Sequence, residues 1–412
     1  MKAHIMLLPT LLLLMTTTVT AQVPTLKLPQ YKFVNYRANT LHYDTNSTAM
    51  NKFFDKWQRM TDSRKGNISI VHIGGSHVQA GTLTNTIRCN LLAAYPELVG
   101  PRGMIFPYSA AARCNNPPDY RVRCPQKMLL TRNVHKEHTY PLGICGIAVT
   151  ASDTLTNMLI LMNEPQVKYA TQRIVLLGHT NEGVVPRLRI DGMEHYPSYI
   201  DNRSDRYLFN LKTAVDSFTI VLPCHKGQQF TVSGIYLDNN QPGFIYHSIG
   251  VNGASVPDYL RCKNFVRDLR LMHPDVVVFG IGINDAVPTN FDTAVFRQNY
   301  LNLIDSVRAV NPDCAFIFIT NNDSYTKAGR RYNVNPNGCL ARDVFYRLAK
   351  DTDGAVWDQF EVMGGLRSME QWRIVGLAQT DRVHFTNAGY QLIGNLFSNA
   401  LYEAYNKYID RQ

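Results

Sequence analysis

Beyond its first fifteen residues the chain lacks any apolar run approaching the roughly 18 residues that cross a bilayer. That excludes a bundle of membrane-spanning helices as its class. It has no Cys-x-x-Cys pair, and its histidines and cysteines do not fall at zinc-ligand spacing, which excludes the common zinc modules. Lys and Arg outnumber Asp and Glu by 42 to 32, a formal charge of +10, yet no dense basic run occurs. Dispersed basic residues solvate a surface, and no nucleic-acid partner is expected.

What the chain does have begins at its N-terminus. Lys2 supplies a short basic region, Ile5 to Met15 is mostly apolar, and Val19-Thr20-Ala21 places small residues before a cut, the pattern of a secretion signal over residues 1–21. No lipoprotein cysteine stands at that cut, so a protein released outside the cytoplasm, periplasmic or extracellular, is expected to start near Gln22. In that setting a basic balance suits an anionic polymer or surface. Eight cysteines, an even number, allow disulfides there, with Cys114 to Cys124 the favoured local pair because it closes a short loop. A hydrophobic content of 45% supports a packed core. The about 390 residues left after the cut imply one large domain with an insertion, or two domains.

The stretch Ile68 to Gly81, ISIVHIGGSHVQAG, organises the rest. Ile68, Ile70, Val71 and Ile73 read as a short buried strand, Gly74-Gly75 forces a tight turn, and a helix-compatible segment follows Ser76. One hydroxyl is thereby lifted to the C-terminal edge of a strand, where open α/β sheets bind ligands. Ser76 reads either as a helix cap or as a nucleophile. Ahead of it, Met50, Phe53, Phe54 and Trp57 recur at helical spacing; after it, Val78 to Tyr95 reads as helix and Pro96 to Pro125 as a long loop bordering the site. From 128 to 238 short runs such as Asn157 to Met162, Arg173 to Gly178, Ser217 to Pro223 and Gln229 to Asp238 alternate with turns, predicting a β-sandwich or jelly-roll-like insert. That insert is expected to contact glycan or to brace the cleft.

From Gly243 strands and helices alternate. Phe244 to Gly250, Asp275 to Gly282, Cys314 to Thr320 and Gly354 to Asp358 read as strands, and Val256 to Met272, Phe291 to Val310, Leu340 to Lys350 and Asn387 to Tyr408 as helices. This predicts an α/β domain, 22–127 with 239–412, built on a parallel sheet covered on both faces. Three of its loops carry chemistry-bearing groups. Gly253 in VNGAS offers a bare backbone N–H, and Asn284 in GIND a side-chain amide. Asp381-Arg382-Val383-His384 places a carboxylate where it can fold back onto an imidazole. With Ser76 they form the set that acyl transfer needs: nucleophile, base, orienting group and oxyanion donors.

In Gly74-Gly75-Ser76-His77, Gly253, Gly282-Ile283-Asn284-Asp285 and Asp381-Arg382-Val383-His384 the chain resembles the SGNH hydrolases, or GDSL esterases. The resemblance implies a flavodoxin-like three-layer α/β/α fold. It also implies Ser76 as nucleophile, His384 as general base, Asp381 as its orienting carboxylate, and an oxyanion hole made by the N–H groups of Ser76 and Gly253 with the Asn284 side chain. No metal or organic cofactor is implied. One position departs: Gly75 stands where the family usually has aspartate, which leaves a weak or inactive carbohydrate-binding relative as an alternative. His77, the β-rich insert and the signal resemble exported peptidoglycan O-acetylesterases, so the implied partner is an O-acetylated peptidoglycan or other polysaccharide. A lipase or other acylhydrolase is a further alternative, disfavoured because no long apolar stretch lies near the motifs. His77, Asn322, Asp323 and Tyr325 are candidate sugar contacts.

Overall fold

The computed structural model describes residues 22–111, 114, 116–138, 140–162 and 169–412. The expected signal, 1–21, lies outside the described residues. Five strands, Asn67–Gly74, Gly243–Gly250, Val276–Gly280, Ala315–Ile319 and Ala355–Trp357, pair in parallel, with the two-residue Leu41–His42 antiparallel on one edge. Numbered along the chain, the parallel strands lie in the order 2-1-3-4-5, the flavodoxin-like winding.

Near-continuous apolar runs make these strands, because a parallel sheet is buried on both faces. Alternate residues sort the faces. Ile68, Ile70, Val276, Val278 and Ile317 pack with Met50, Phe53, Phe54 and Trp57 of the helix Thr48–Ser63 and with the last helix, Asn387–Ile409. Val71, Ile73, Val277, Phe279, Phe316 and Phe318 face the helices Thr293–Arg308 and Asn337–Thr352. The helix Thr48–Ser63 starts where Ser47 Oγ accepts from the Met50 N–H at 3.1 Å. It is tied to the last helix by Trp57 stacked on Tyr405, ring centroids 4.3 Å apart.

Between the adjacent strands Asn67–Gly74 and Gly243–Gly250 the chain builds two antiparallel sheets. One has five strands in the order Met193–His195, Arg187–Ile190, Ser217–Pro223, Leu155–Met162, Tyr120–Arg123. The other has seven, centred on Thr171–Thr180 and Gln229–Asp238. Their inward residues, among them Met158, Ile160, Leu188 and Ile220 from one sheet and Val149, Leu176 and Val232 from the other, form one core with the Val71 side of the parallel sheet.

The structure differs from the expectation at several joints. Antiparallel pairing begins before residue 128: Gly103–Ile105 and Tyr120–Arg123, inside the stretch expected to be loop, pair with Gln229–Asp238 and Leu155–Met162. These strands are too short, and too embedded in Pro, Arg and Asn, to show a period. The segment after Ser76 is two helices, Ser76–Gln79 and Thr82–Ala94, divided at Gly81 with φ +78°. Val256 to Met272 is likewise two, Val256–Leu260 and Phe265–Met272. The expected Cys114–Cys124 disulfide is not formed, and no disulfide joins any of the eight cysteines. Four of them, Cys145, Cys224, Cys262 and Cys314, are buried as small apolar side chains. Among the described residues no helix is long and apolar enough to cross a membrane.

Candidate active site

The first parallel strand lies between the second and the third, so the chain leaves it in one direction and later returns on its other side. At such a switch point the loops diverge and open a crevice beyond the strand ends. Ser76 is the first residue after the Gly74-Gly75 turn there. A Cβ at Gly74 would run into the Val78 side chain and lie 2.9 Å from the Gly280 carbonyl oxygen, so the tight turn admits only a hydrogen.

His384 comes from the far end of the sequence and reaches the same crevice. Ser76 Oγ lies 2.7 Å from His384 Nε2, and His384 Nδ1 lies 2.7 Å from Asp381 Oδ2. With the ring proton on Nδ1 donated to the carboxylate, Nε2 accepts from the serine hydroxyl. The other Asp381 oxygen accepts from the backbone N–H groups of Val383 and His384 at 2.9 and 3.0 Å. Burial raises the Asp381 carboxyl, but these N–H groups and the imidazole outweigh it and hold the group below its ordinary range. The loop is braced from outside. Arg382, in the left-handed region at φ +57°, pairs with Glu370 at 2.7 Å, lies over the Tyr332 ring at 4.3 Å, and accepts at its carbonyl from the Tyr325 N–H.

The oxyanion candidates converge on the same serine. Gly253 sits at φ +83°, a conformation that favours glycine. Its loop is pinned by Gln79, whose Oε1 accepts from the Asn252 N–H at 2.7 Å. Asn284 donates one amide hydrogen to the Ala254 carbonyl at 2.9 Å, which fixes the side chain and leaves its second hydrogen for a ligand. The backbone N–H groups of Ser76 and Gly253 have no partner among the described residues.

These groups open on a cleft of about 570 Å³ whose wall carries Ser76, Gly253, Asn284 and His384. The same wall holds five amides that sequence reasoning missed: Gln79, Asn116, Asn252, Gln379 and Asn387. Asn116 belongs to the stretch expected to border the site. Apart from that, only adjacency to a motif residue marked these positions: Gln79 follows Ser76 by three, Asn252 precedes Gly253, and Asn387 follows His384 by three.

The candidate sugar contacts are placed otherwise, and that expectation is corrected. Asn322 and Asp323 are buried. Asn322 Nδ2 donates to the carbonyls of Asp323 and Val383 and so braces the Asp381–His384 loop from beneath, whereas the Asp323 carboxylate accepts from the Met369 N–H at 3.0 Å and holds the start of the helix Ser368–Ile374. Tyr325 supports Arg382 through its backbone and does not line the cleft. His77 faces inward: its Nδ1 lies 2.8 Å from the Tyr390 hydroxyl and its ring packs 5.2 Å from that of His384. Burial, with a smaller contribution from His384, drives its pKa down to about 3, so it is neutral. It lines a separate cavity of about 30 Å³ behind the site, together with His72, Asn321 and Asn322.

The model of the GDSL-like lipase/acylhydrolase family matches residues 228–392. That stretch holds Gly253, Asn284, Asp381 and His384; Ser76 lies outside it, beyond the antiparallel strands. Among solved structures the chain is similar to a peptidoglycan O-acetylesterase, with a TM-score of 0.73 at 18% identity over 89% of this chain and 99% of the other. An acetyl xylan esterase is similar at 20% identity over 37% of this chain and 78% of its own, TM-score 0.30. A family two carbohydrate esterase from Cellvibrio japonicus is similar at 8% identity over 69% and 98%, TM-score 0.28. The first of these likenesses shows a common fold that extends through the antiparallel sheets as well as the parallel one. None of the curated proteins matches the chain.

Proposed function

We propose that this chain is an ester hydrolase of the GDSL-like, SGNH type, a reading supported by the family model over residues 228–392 and by the shared fold, and that it removes O-acetyl groups from peptidoglycan or another polysaccharide outside the cytoplasm. The observation that carries this reading is the hydrogen-bonded line Ser76–His384–Asp381 opening on a cleft walled by neutral amides. His384 Nε2 takes the Ser76 proton as Oγ attacks the ester carbonyl. Asp381 holds the imidazole in the right tautomer and stabilises the imidazolium that forms. The negative charge that develops on the carbonyl oxygen is met by the N–H groups of Ser76 and Gly253 and by the free hydrogen of the Asn284 amide. His384 then passes its proton to the departing sugar oxygen. Water, deprotonated by the same imidazole, releases acetate from Ser76.

The lining supports a sugar as the alcohol. Gln79, Asn116, Gln379 and Asn387 each spend part of their amide on neighbours, at Asn252, Ser109, Phe385 and Thr82, and the second hydrogens and lone pairs that remain match hydroxyls and an N-acetyl group. An apolar tunnel for a fatty acyl tail would need a different wall. The likeness to a peptidoglycan O-acetylesterase and the secretion signal read from residues 1–21 favour a wall polymer.

The test is acetate release from O-acetylated peptidoglycan and from acetylated xylan, with fluorophosphonate labelling of the same preparation. Labelling at Ser76 with release from either polymer is expected. A protein that neither labels nor releases acetate would be a binding relative that has lost the chemistry.

A further inference from the structure

The outward face of the five-stranded antiparallel sheet carries a charge pattern that ester cleavage does not use. Across it, Arg123 stands opposite Leu159, Leu159 opposite Thr219, Thr219 opposite Arg189, and Arg189 opposite Glu194. In neighbouring rows Arg121 stands opposite Leu161, and Arg187 opposite Val221. The residues between the arginines on each strand, Val122 and Leu188, are buried, so alternation turns all four guanidinium groups to the outward face. Arg187 and Arg189 share Glu194, the one carboxylate at an outward strand position of this sheet, while Arg121 and Arg123 form no ion pair among the described residues. Among the described residues at strand positions, four guanidinium groups stand against one carboxylate, an excess of three positive charges on this face.

We propose that this face binds a carboxylated glycan strand, holding the polymer whose esters the cleft opens; the second clause rests on the function proposed above. A guanidinium fork matches a carboxylate in two parallel hydrogen bonds and sheds its water readily. The two arginine banks are three strand spacings apart, about 14 Å at the backbone, with Leu159, Leu161 and Val221 between them. Carboxylates spaced along a polymer fit two banks; a single small anion does not. At one bank Tyr196, 62% exposed, lies under the Arg187 guanidinium, 5.5 Å from its ring centroid, and presents an aromatic surface to a sugar ring. The other bank is close to the chemistry. Asn116 on the cleft wall precedes Arg123 by seven residues, at most about 25 Å of extended chain. One strand of glycan can therefore touch both, and capture at the face raises the ester's effective concentration at Ser76.

The experiment titrates the full mature chain with polygalacturonate at low and physiological salt, beside neutral xylan and single-stranded DNA. Salt-sensitive binding of polygalacturonate is expected, weakened about tenfold or more in R121E/R123E and less in R121K/R123K, which keeps the charge and loses the fork. Hydrolysis of 4-nitrophenyl acetate, which engages the cleft alone, serves as the check on folding. Equal binding by the Glu variant overturns the proposal, and so does xylan bound as tightly. DNA bound as tightly overturns it too, by making the face a general polyanion surface. If arginine-dependent binding is found in a protein inert towards nitrophenyl acetate, the face stands and the esterase reading falls; an active enzyme with no polygalacturonate binding gives the reverse.

Discussion

The parallel and antiparallel sheets obey one rule of alternation and expose opposite things. In the parallel sheet both sets of alternate residues are buried, so no side chain along a strand can meet a ligand. Every group aimed at the cleft comes from beyond a strand end: Ser76, Gly253, Asn284, His384. In the five-stranded antiparallel sheet one set of alternate residues stays outward, so recognition can be written along the strands themselves, as Arg121, Arg123, Arg187 and Arg189. A doubly covered sheet confines chemistry to its rim, whereas a half-covered one offers a face.

The hardest blow to that division is Ser76→Ala. It is expected to lower acetate release by a factor on the order of 10⁴ to 10⁶ and to leave polygalacturonate binding untouched. Turnover that survives in this variant would mean the chemistry is elsewhere. Asp381→Asn comes next. The imidazole loses the acceptor that fixes its tautomer, and a fall in kcat on the order of 10³ to 10⁴ is expected. This carboxylate is 46% exposed on its side chain, so water can partly replace it and the lower end is the better expectation. Asn284→Ala removes one of the proposed oxyanion donors and should cost roughly 10²- to 10³-fold in kcat with KM little changed. A loss confined to KM would make Asn284 a substrate contact instead.

How far the sequence alone disclosed this arrangement follows from the same contrast. Ser76, Gly253, Asn284, Asp381 and His384 were legible because each sits in a short motif directly after an apolar run, and a strand end is readable in one dimension. The amides at Gln79, Asn116, Gln379 and Asn387 were not, since they carry no motif of their own and Asn and Gln are common in loops and helix ends alike. Asn322 and Asp323 misled for the complementary reason. They follow a strand and are polar, but their loop turns beneath the Asp381–His384 loop, which only tertiary packing decides. The arginine face was visible as charge and invisible as pattern. Pairing register, not spacing in the chain, lines Arg123 up with Arg189. The parallel sheet could be read because five runs repeat one signal, whereas Gly103–Ile105 and Tyr120–Arg123 are too short to show any.

Carboxylates divide the two regions as well. Glu194, outward on the antiparallel sheet, is held below the ordinary range by its hydrogen bonds to Arg187 and then Arg189. Asp285, under the oxyanion loops, is pushed up to about 7 by burial, against the Val256 N–H that it accepts. Folded Asp285 therefore keeps a proton that the unfolded chain releases near pH 4, so its contribution to stability is full below that pH and is lost as pH rises through about 7. Three pKa units set a ceiling on the order of 4 kcal/mol. Asp285→Asn keeps an oxygen for Val256 and removes the titration. Denaturant unfolding at pH 4.5, 6 and 8 should show a flatter profile in the variant, and parallel profiles would locate the ionisation elsewhere.

The smallest effect is expected at Gly75, where the chain departs from the family it resembles. Its φ of −96° is negative, and a Cβ there would lie 3.4 Å from Asn284 Nδ2 and 3.5 Å from the Ala254 carbonyl oxygen, both ordinary contacts. An aspartate would compete with Ala254 for the Asn284 amide. In this chain the Ala254 carbonyl holds that amide at 2.9 Å, without a charge beside the crevice. Gly75→Asp should accordingly keep kcat within about threefold, because one neutral acceptor is exchanged for a charged one at an amide that stays fixed. A loss beyond tenfold, with unchanged stability, would show that the negative charge opposes the oxyanion and that glycine is what lets the rim of this parallel sheet work.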